Sequence, residues 1–448
     1  MLAKLLFDDL VLRRIESGRK RIDTEQNALR AITPTDADTP YLLYVLAGWA
    51  EYSPLASGIV GELIAGYLRQ GWPDISLSAW GFIQTAMATF ASCKGHEADV
   101  VRHFEWLEQH AVHLLRKDEL LATAQLAMAR IKKRNAAYIP ALGFAQSASS
   151  NYSRAGLPGM EAVARTIEAW THAQLGHTRE AQERFAQASI WLDTTEDCAL
   201  RGYIAYAEAR QLRHSDLEEQ ARIAYKKAAD LYLQSIPPHR TLRRVLLDWA
   251  DLEYRMAAAN RSNAGRAAEL WKSAASKVNQ AMRLIDSDDF RSVVRLKLVQ
   301  VNGALHGPAH SYANARSLAK EAYDIALSKD DHLMMARALY KQAKIEHYMT
   351  RNGACDNLVR LLVRALQHLA GALKLANHLD NARLTARIHT LRATILLEPP
   401  FCDKESATED FNAAVELMQN RQDSDYIVRK IARLKEQLLS PVWTPKAK

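Results

Sequence analysis

From residue 181 onward, two small residues flank a large one at helical spacing, again and again along the chain. Ala181, Phe185 and Ala188 show the pattern, which returns at Ala221, Tyr225, Ala228; Ala267, Trp271, Ala274; Ala319, Tyr323, Ala326; Ala365, Leu369, Ala372; and Ala407, Phe411, Ala414. Successive copies are separated by 40, 46, 52, 46 and 42 residues. Residues three, four and seven apart share one face of a helix, so each copy predicts a helix whose alanines let a neighbouring backbone approach while the large residue fills the remaining space. A single helical hairpin cannot bury such a face by itself; stacked hairpins bury it continuously.

The first third of the chain has helical periodicity without this repeat. Its apolar spacing predicts helices over 2–17, 40–52, 55–69, 77–93, 97–115 and 118–137, broken at TPTDADTP (33–40), GWPD (71–74) and KGHE (94–97), where proline and glycine punctuate. These helices read as degenerate hairpins of the same array or as a cap on it. Later breaks fall at RAGLPG (154–159), SIPPHR (235–240) and LEPPF (397–401), all too short for flexible linkers. The expected organisation is an N-terminal helical region over 1–138, a repeat array over 139–440 and a flexible tail over 441–448 that exposes Trp443. Aspartates in TTEDC (194–198), DSDD (286–289) and KDD (329–331) lie between helices, where they cap and solubilise.

Composition narrows the class. With 18 glycines and 13 prolines in 448 residues, helix breakers are scarce, and the expected fold class is all-α: a superhelical array of antiparallel helical hairpins, right-handed, with roughly seven to nine pairs. Trp170, Trp191, Trp249 and Trp271 recur on its helices and are expected in the core. No run approaches eighteen consecutive apolar residues, and Asp8 and Asp9 interrupt any secretory signal core, so a cytoplasmic location is expected. Cys93, Cys198, Cys355 and Cys402 are too dispersed for a disulfide framework or a zinc knuckle.

Within the best-defined unit, Ala169 occupies the first helix, Gly176 the turn, Thr178 a cap, and Ala181, Phe185 and Ala188 the second helix. The next unit repeats Ala209, Ala221, Tyr225 and Ala228, with Asp216 in place of the turn glycine. This frame resembles the tetratricopeptide repeat, with longer intervals than that family's unit of about 34 residues and without most of its first-helix tryptophan–leucine–glycine signature. The resemblance covers about 160–235 well and extends more weakly to 440. It implies an α-solenoid of the kind used in scaffolds, chaperone adaptors and the sensing halves of signalling proteins.

Chemistry is sparse. No glycine-rich phosphate loop, nucleophile elbow or HExxH pair occurs, and no catalytic, cofactor-binding or metal-ligating residue is nominated. His96, His103 and His110 stand seven apart, about 10 Å per step along a helix, too far to share one ion; His110 with His113 makes an incomplete pair. His306 and His310 flank a Gly–Pro break and read as loop contacts.

The leading expectation is a non-enzymatic protein- or peptide-binding scaffold, adaptor or regulatory sensor that uses the inner surface of the array. Arg165, Glu168 and His172 share one face of a first helix, and Arg201 and Glu208 share a face of the next, with Ala205 and Leu212 beside them. These five charged or polar residues are the candidate partner-binding set. A net charge of +8 keeps a nucleic-acid-associated regulator as an alternative, carried by a positive stripe joining Arg13, Arg14, Arg19, Lys20 and Arg21 to Lys132, Lys133 and Arg134. A second alternative is an enzyme whose pocket the array encloses.

Overall fold

The computed structural model describes residues 1–33, 36, 38–50, 52–70, 75–175, 177–192, 197–214, 217–234, 241–285, 289–307, 311–354, 357–379, 381–418 and 426–439. Gly176, Asp216, Cys355, His310, GWPD, SIPPHR and the tail with Trp443 lie outside them, as do parts of TTEDC and DSDD. Among the described residues all regular structure is helical: twenty-two α-helices and one short 3-10 helix.

The chain forms two compact units, Met1–Ile204 with Gln234–His239, and Ala205–Leu233 with Arg240–Lys448. The first contains α1 (Leu2–Val11), α2 (Ile15–Thr24), α3 (Gln26–Arg30), α4 (Thr39–Trp49), α5 (Pro54–Gln70), α6 (Leu77–Lys94), α7 (Glu97–His110), α8 (Lys117–Arg134), α9 (Tyr138–Arg154), α10 (Pro158–Leu175) and α11 (Thr178–Leu192). The boundary falls inside α12 (Cys198–His214). The second unit continues with α13 (Glu218–Gln234), α14 (Leu242–Ala259), α15 (Ala264–Arg283), α16 (Phe290–His306), α17 (Tyr312–Ser328), α18 (His332–Arg351), α19 (Leu358–Ala376), α20 (Ala382–Leu397), α21 (Lys404–Met418) and α22 (Tyr426–Leu439).

In the second unit α14, α16, α18 and α20 each pair with the following helix, and α14, α16, α18, α20 and α22 also pack in succession on one another. The result is two layers: first helices against first helices, and second helices covering them. Side-chain caps start this run of helices one after another. Asn263, Asp289, Ser311, Asp331, Asn357 and Asn381 each accept a hydrogen bond from the backbone N–H three residues on, satisfying a donor that the helix itself leaves open.

The alanine pattern marks the seam. Eleven of its twelve alanines have no exposed surface, and Ala267, in the first turn of α15, is the partly exposed one. Tyr225 and Leu369 are fully enclosed and Phe185 is buried, whereas Trp271, Tyr323 and Phe411 are half-buried at the margin. Trp170, Trp191, Trp249 and Trp271 are all half-buried, filling the edges of helix pairs, while among the described residues the fully enclosed tryptophan is Trp49, whose Nε1 donates to the Leu6 carbonyl at 3.0 Å. Ala181→Leu or Ala221→Leu should therefore overpack a seam and cost about 1 to 3 kcal/mol. An unchanged urea midpoint for both variants would contradict this packing.

The expected single helix over 2–17 is two helices. Leu12 and Arg14 donate back to Asp8 and Asp9 to close α1, and Arg13 takes a left-handed conformation with φ 57°. Here the tertiary partner overrides helical periodicity, because this backbone state turns the Arg13 guanidinium onto Asp197. Gly159, at the start of α10, fits against the break; a Cβ there would lie 2.2 Å from the Val11 carbonyl oxygen. The expected helix over 97–115 likewise ends early, as α7 followed by a 3-10 turn over Ala111–His113.

Candidate ligand face

The five partner-binding candidates have different fates. Glu168 and His172 are buried, at 2% and 8% exposure, so they are not displayed on the surface together. Glu168 pairs with Arg184 of α11 at 2.6 Å and with His172 at 3.8 Å; burial favours its neutral form, but these two partners outweigh burial and hold its pKa below the usual value. His172 also faces His177, with their Nδ1 atoms 3.2 Å apart. Arg165, half-buried, donates to Glu161 at 2.8 Å and to Gln187, joining α10 to α11. Arg201, in the first unit, and Glu208, in the second, are exposed, while Ala205 on the same helix is buried.

The basic clusters are also tied into the fold. Arg13 is buried against Asp197, its Nε at 2.8 Å, and donates to the Tyr52 hydroxyl at 2.8 Å. Arg19 lies near Glu16 and Asp23, and Arg21 bonds Asp9 at 3.2 Å. Lys132 reaches Glu97, and Lys133 donates to the Tyr203 hydroxyl while lying over the Trp170 ring. This pairing removes much of the positive stripe that a nucleic-acid backbone would need.

A small cavity in the first unit, about 40 Å³, is lined mainly by apolar groups of α1, α4, α6 and α8, with Arg13 and Arg130 at its polar side. That volume holds only a few waters. His103 faces Gln84 at 2.7 Å and His110 stacks on Trp106, and among the described residues no group of three potential ligands could hold a metal ion.

An extended polar assembly lies on the first-helix layer of the second unit. Asp248 of α14 accepts from the Tyr206 hydroxyl of α12 at 2.7 Å and has Arg210 at 3.8 Å and Arg295 of α16 at 3.6 Å. One turn on, Asp251 receives Arg213 of α12 and the Asn302 amide of α16. Asn302 turns its carbonyl to Lys341 of α18, which donates at 2.6 Å. Next come Lys344, 5.3 Å over the Tyr348 ring, and Arg387 of α20, 5.2 Å over Tyr340. Thus a continuous chain of polar side chains crosses α12, α14, α16, α18 and α20.

The electrostatics of this chain are lopsided. Burial, with Lys344 and Arg387 nearby, pushes Lys341 down to about 7, and burial, with Lys430, Arg387 and Arg255 nearby, pushes Lys344 down to about 7, in both cases against partial relief from Asp251. His306 on α16 is pushed down to about 3 by burial together with Lys344, Lys341 and Arg261. Burial would raise the Tyr340 phenol, yet Arg387, Lys430 and Lys341 outweigh it and lower its pKa. Asp251 is held well below the carboxylate range by Arg213, Lys341 and Arg255, again against burial. Both lysines retain some solvent exposure, and Arg387 and Lys430 are exposed, so this excess of positive charge is open to a ligand.

The sequence reading missed this face because the alanine repeat draws attention to the second helices. The available signal lay in the first helices: Tyr206, Arg210 and Arg213; Asp248, Asp251 and Arg255; Arg295, Asn302 and His306; Lys341, Lys344 and Tyr348, all at steps of three, four or seven.

No protein-family profile and no curated protein matches this sequence. Solved structures share its fold. A Rap protein complexed with Competence and Sporulation Factor superposes with a TM-score of 0.59 at 10% identity, covering 84% of this chain and 98% of that one. The apo quorum sensor NprR from B. thuringiensis gives 0.53 at 11% identity, covering 86% and 100%. NprR in complex with its cognate peptide NprX gives 0.53 at 10%, covering 86% and 99%. At this identity the likeness establishes the fold, a tetratricopeptide-like α-solenoid of helical hairpins.

Proposed function

We propose that this protein is a non-enzymatic, peptide-binding regulator of the cytoplasm, and that the first-helix layer of its second unit receives the peptide. The observation that carries the reading is the polar chain from Tyr206 to Arg387. It sets donors and acceptors on five successive first helices, in a layer free to vary because the alanine seams are in the second helices. An extended peptide has a donor and an acceptor at every residue, and the partly exposed Asp251 and Lys341, held in place from below by the buried Asn302 amide, provide complementary groups at the centre of the layer. Two structures with the same fold are described as complexes with a cognate peptide and with Competence and Sporulation Factor, which agrees with this use of the layer. Among the described residues no helix is long and apolar enough to cross a membrane.

Arg165, Arg201 and Glu208 are proposed as additional partner contacts, each to be tested separately; Glu168 and His172 support α10 and α11 from within. A randomised octapeptide display library selected on the immobilised full-length protein tests the reading. Enrichment of defined sequences, with affinity reduced about tenfold or more by Asn302→Ala, is the expected outcome. Absence of enrichment over bare matrix would overturn it. Retained affinity in Arg165→Ala, Arg201→Ala and Glu208→Ala variants would remove those three from the contact set without touching the layer.

A further inference from the structure

We infer that the second unit selects an acidic peptide, with its carboxylates held among Arg255, Lys341, Lys344, Arg387 and Lys430. This deepens the peptide-binding proposal and rests on it. Lys344 has Arg255 of α14, Arg387 of α20 and Lys430 of α22 as charged neighbours, with Asp251 as the opposing carboxylate. Lys341 has Lys344, Arg387 and Asp251 around it. Asp251 is already committed to Arg213 and Asn302, and Glu218, at the start of α13, lies 3.7 Å from Arg255. Along α18, α20 and α22 the sequence carries eleven lysines and arginines against two acids, Glu346 and Glu436. Holding these cations together costs folding free energy through repulsion and desolvation; an anionic ligand relieves the repulsion and offsets the desolvation by pairing.

The spread of the charges points to a chain in preference to a compact anion. Arg255, Lys344, Arg387 and Lys430 sit on α14, α18, α20 and α22, members of one packed succession of first helices. Packed helix axes lie about 8 to 10 Å apart, so a single phosphate of a few ångströms cannot meet the whole set. An extended peptide advances about 3.3 Å per residue and passes a new first helix every two to three residues, the spacing at which acidic side chains would meet successive cations. Tyr340 and Tyr348, lying beside Arg387 and Lys344, supply apolar surface between the charges. The groups around the two lysines are Asp251 and Arg255 from α14, Asn302 and His306 from α16, Tyr340 on α18 itself, Arg387 from α20 and Lys430 from α22.

The octapeptide selection, run on the full chain and on a Lys341→Glu/Lys344→Glu variant, decides the matter. Sequences recovered on the natural chain should be enriched about threefold or more in Asp and Glu, and the variant should lose that preference. A recovered acidic peptide, synthesised with a fluorophore, should bind about tenfold or more weakly to Lys344→Glu and to Arg387→Glu. Lys344→Glu replaces repulsion with attraction, so thermal unfolding of the variant should be no earlier than that of the natural chain; Lys344→Gln, expected to fall between the two in affinity, guards against a local distortion. Recovery of peptides with no acidic bias overturns the inference and leaves the peptide-binding reading standing. Failure to recover any peptide overturns both. Saturable binding of inorganic pyrophosphate at an affinity equal to or above that of the acidic peptide also overturns it, in favour of a compact anion.

Discussion

Replacing Asp197 with alanine should lower the free energy of unfolding by about 3 to 5 kcal/mol, the cost of leaving a buried partner charge uncompensated. Arg13 and Asp197 are 2% and 0% exposed, with the guanidinium making two contacts to the carboxylate. Asp197 also accepts the Leu200 N–H at 2.9 Å, so the same substitution uncaps α12. The pair spans 184 residues and fixes the break between α1 and α2, because Arg13 reaches Asp197 from a left-handed backbone position. Urea unfolding gives the magnitude, and faster amide exchange in α1 and at the start of α12 gives the location. Arg13→Met with Asp197→Leu should recover most of the loss, since an apolar pair leaves no buried charge. A single-variant cost below about 1 kcal/mol would show that the pair contributes no more than a surface contact.

Stability should rise as pH increases from 7 to about 9.5, in proportion to the depression of Lys341 and Lys344. Both have folded values near 7 and an ordinary value of 10.5, so between these limits the unfolded chain binds protons that the folded chain does not. Stability then increases with pH, and two such groups give a slope of about 2.7 kcal/mol per pH unit where both titrate fully. Below pH 7 both states are protonated and the contribution is flat, with the repulsion retained in the folded state. The raised tyrosines, Tyr206 and Tyr225 among them, act in the opposite direction above their usual range: the unfolded phenol ionises first, which lowers stability with rising pH and closes the window near 10. Isothermal urea titrations at half-unit pH steps, compared with Lys341→Met/Lys344→Met, isolate the effect. A natural chain and a double variant with parallel pH profiles would show that these lysines are protonated in the folded state at neutral pH. Because ligand carboxylates would favour the charged lysines, the same depression predicts proton uptake when an acidic peptide binds.

The nucleic-acid alternative depended on basic runs in the sequence, and pairing changed their meaning. Arg13, Arg21 and Lys132 are adjacent in no linear sense to Asp197, Asp9 and Glu97, yet each is bound to one of these acids. The positive charge that is concentrated on an open face comes instead from residues spread over α14, α18, α20 and α22, none of which forms a basic run. Linear clustering measures proximity along the chain, whereas the field depends on proximity across helices.

Most of the helices, the seams and their order are legible in the local sequence, the breaks at Arg13 and after His110 excepted. Scarce glycine and proline, aspartates and asparagines before helices, and alanines at steps of four and three act within a few residues, and therefore survive translation from chain to structure: Asp289 and Asp331 cap as read, and Ala181, Ala221, Ala319, Ala365 and Ala407 are enclosed. Tertiary packing sets which polar groups stay on an open face and which become interior. Glu168 and His172 share a helical face with Arg165, but Arg184 from α11 covers one side of it and makes their positions interior. Lys341 and Lys344 look like ordinary solvated lysines until α14, α20 and α22 bring Arg255, Arg387 and Lys430 beside them. Helical periodicity tells which side chains point together, and the identity of the neighbouring helix decides whether that direction is core, ion pair or binding surface.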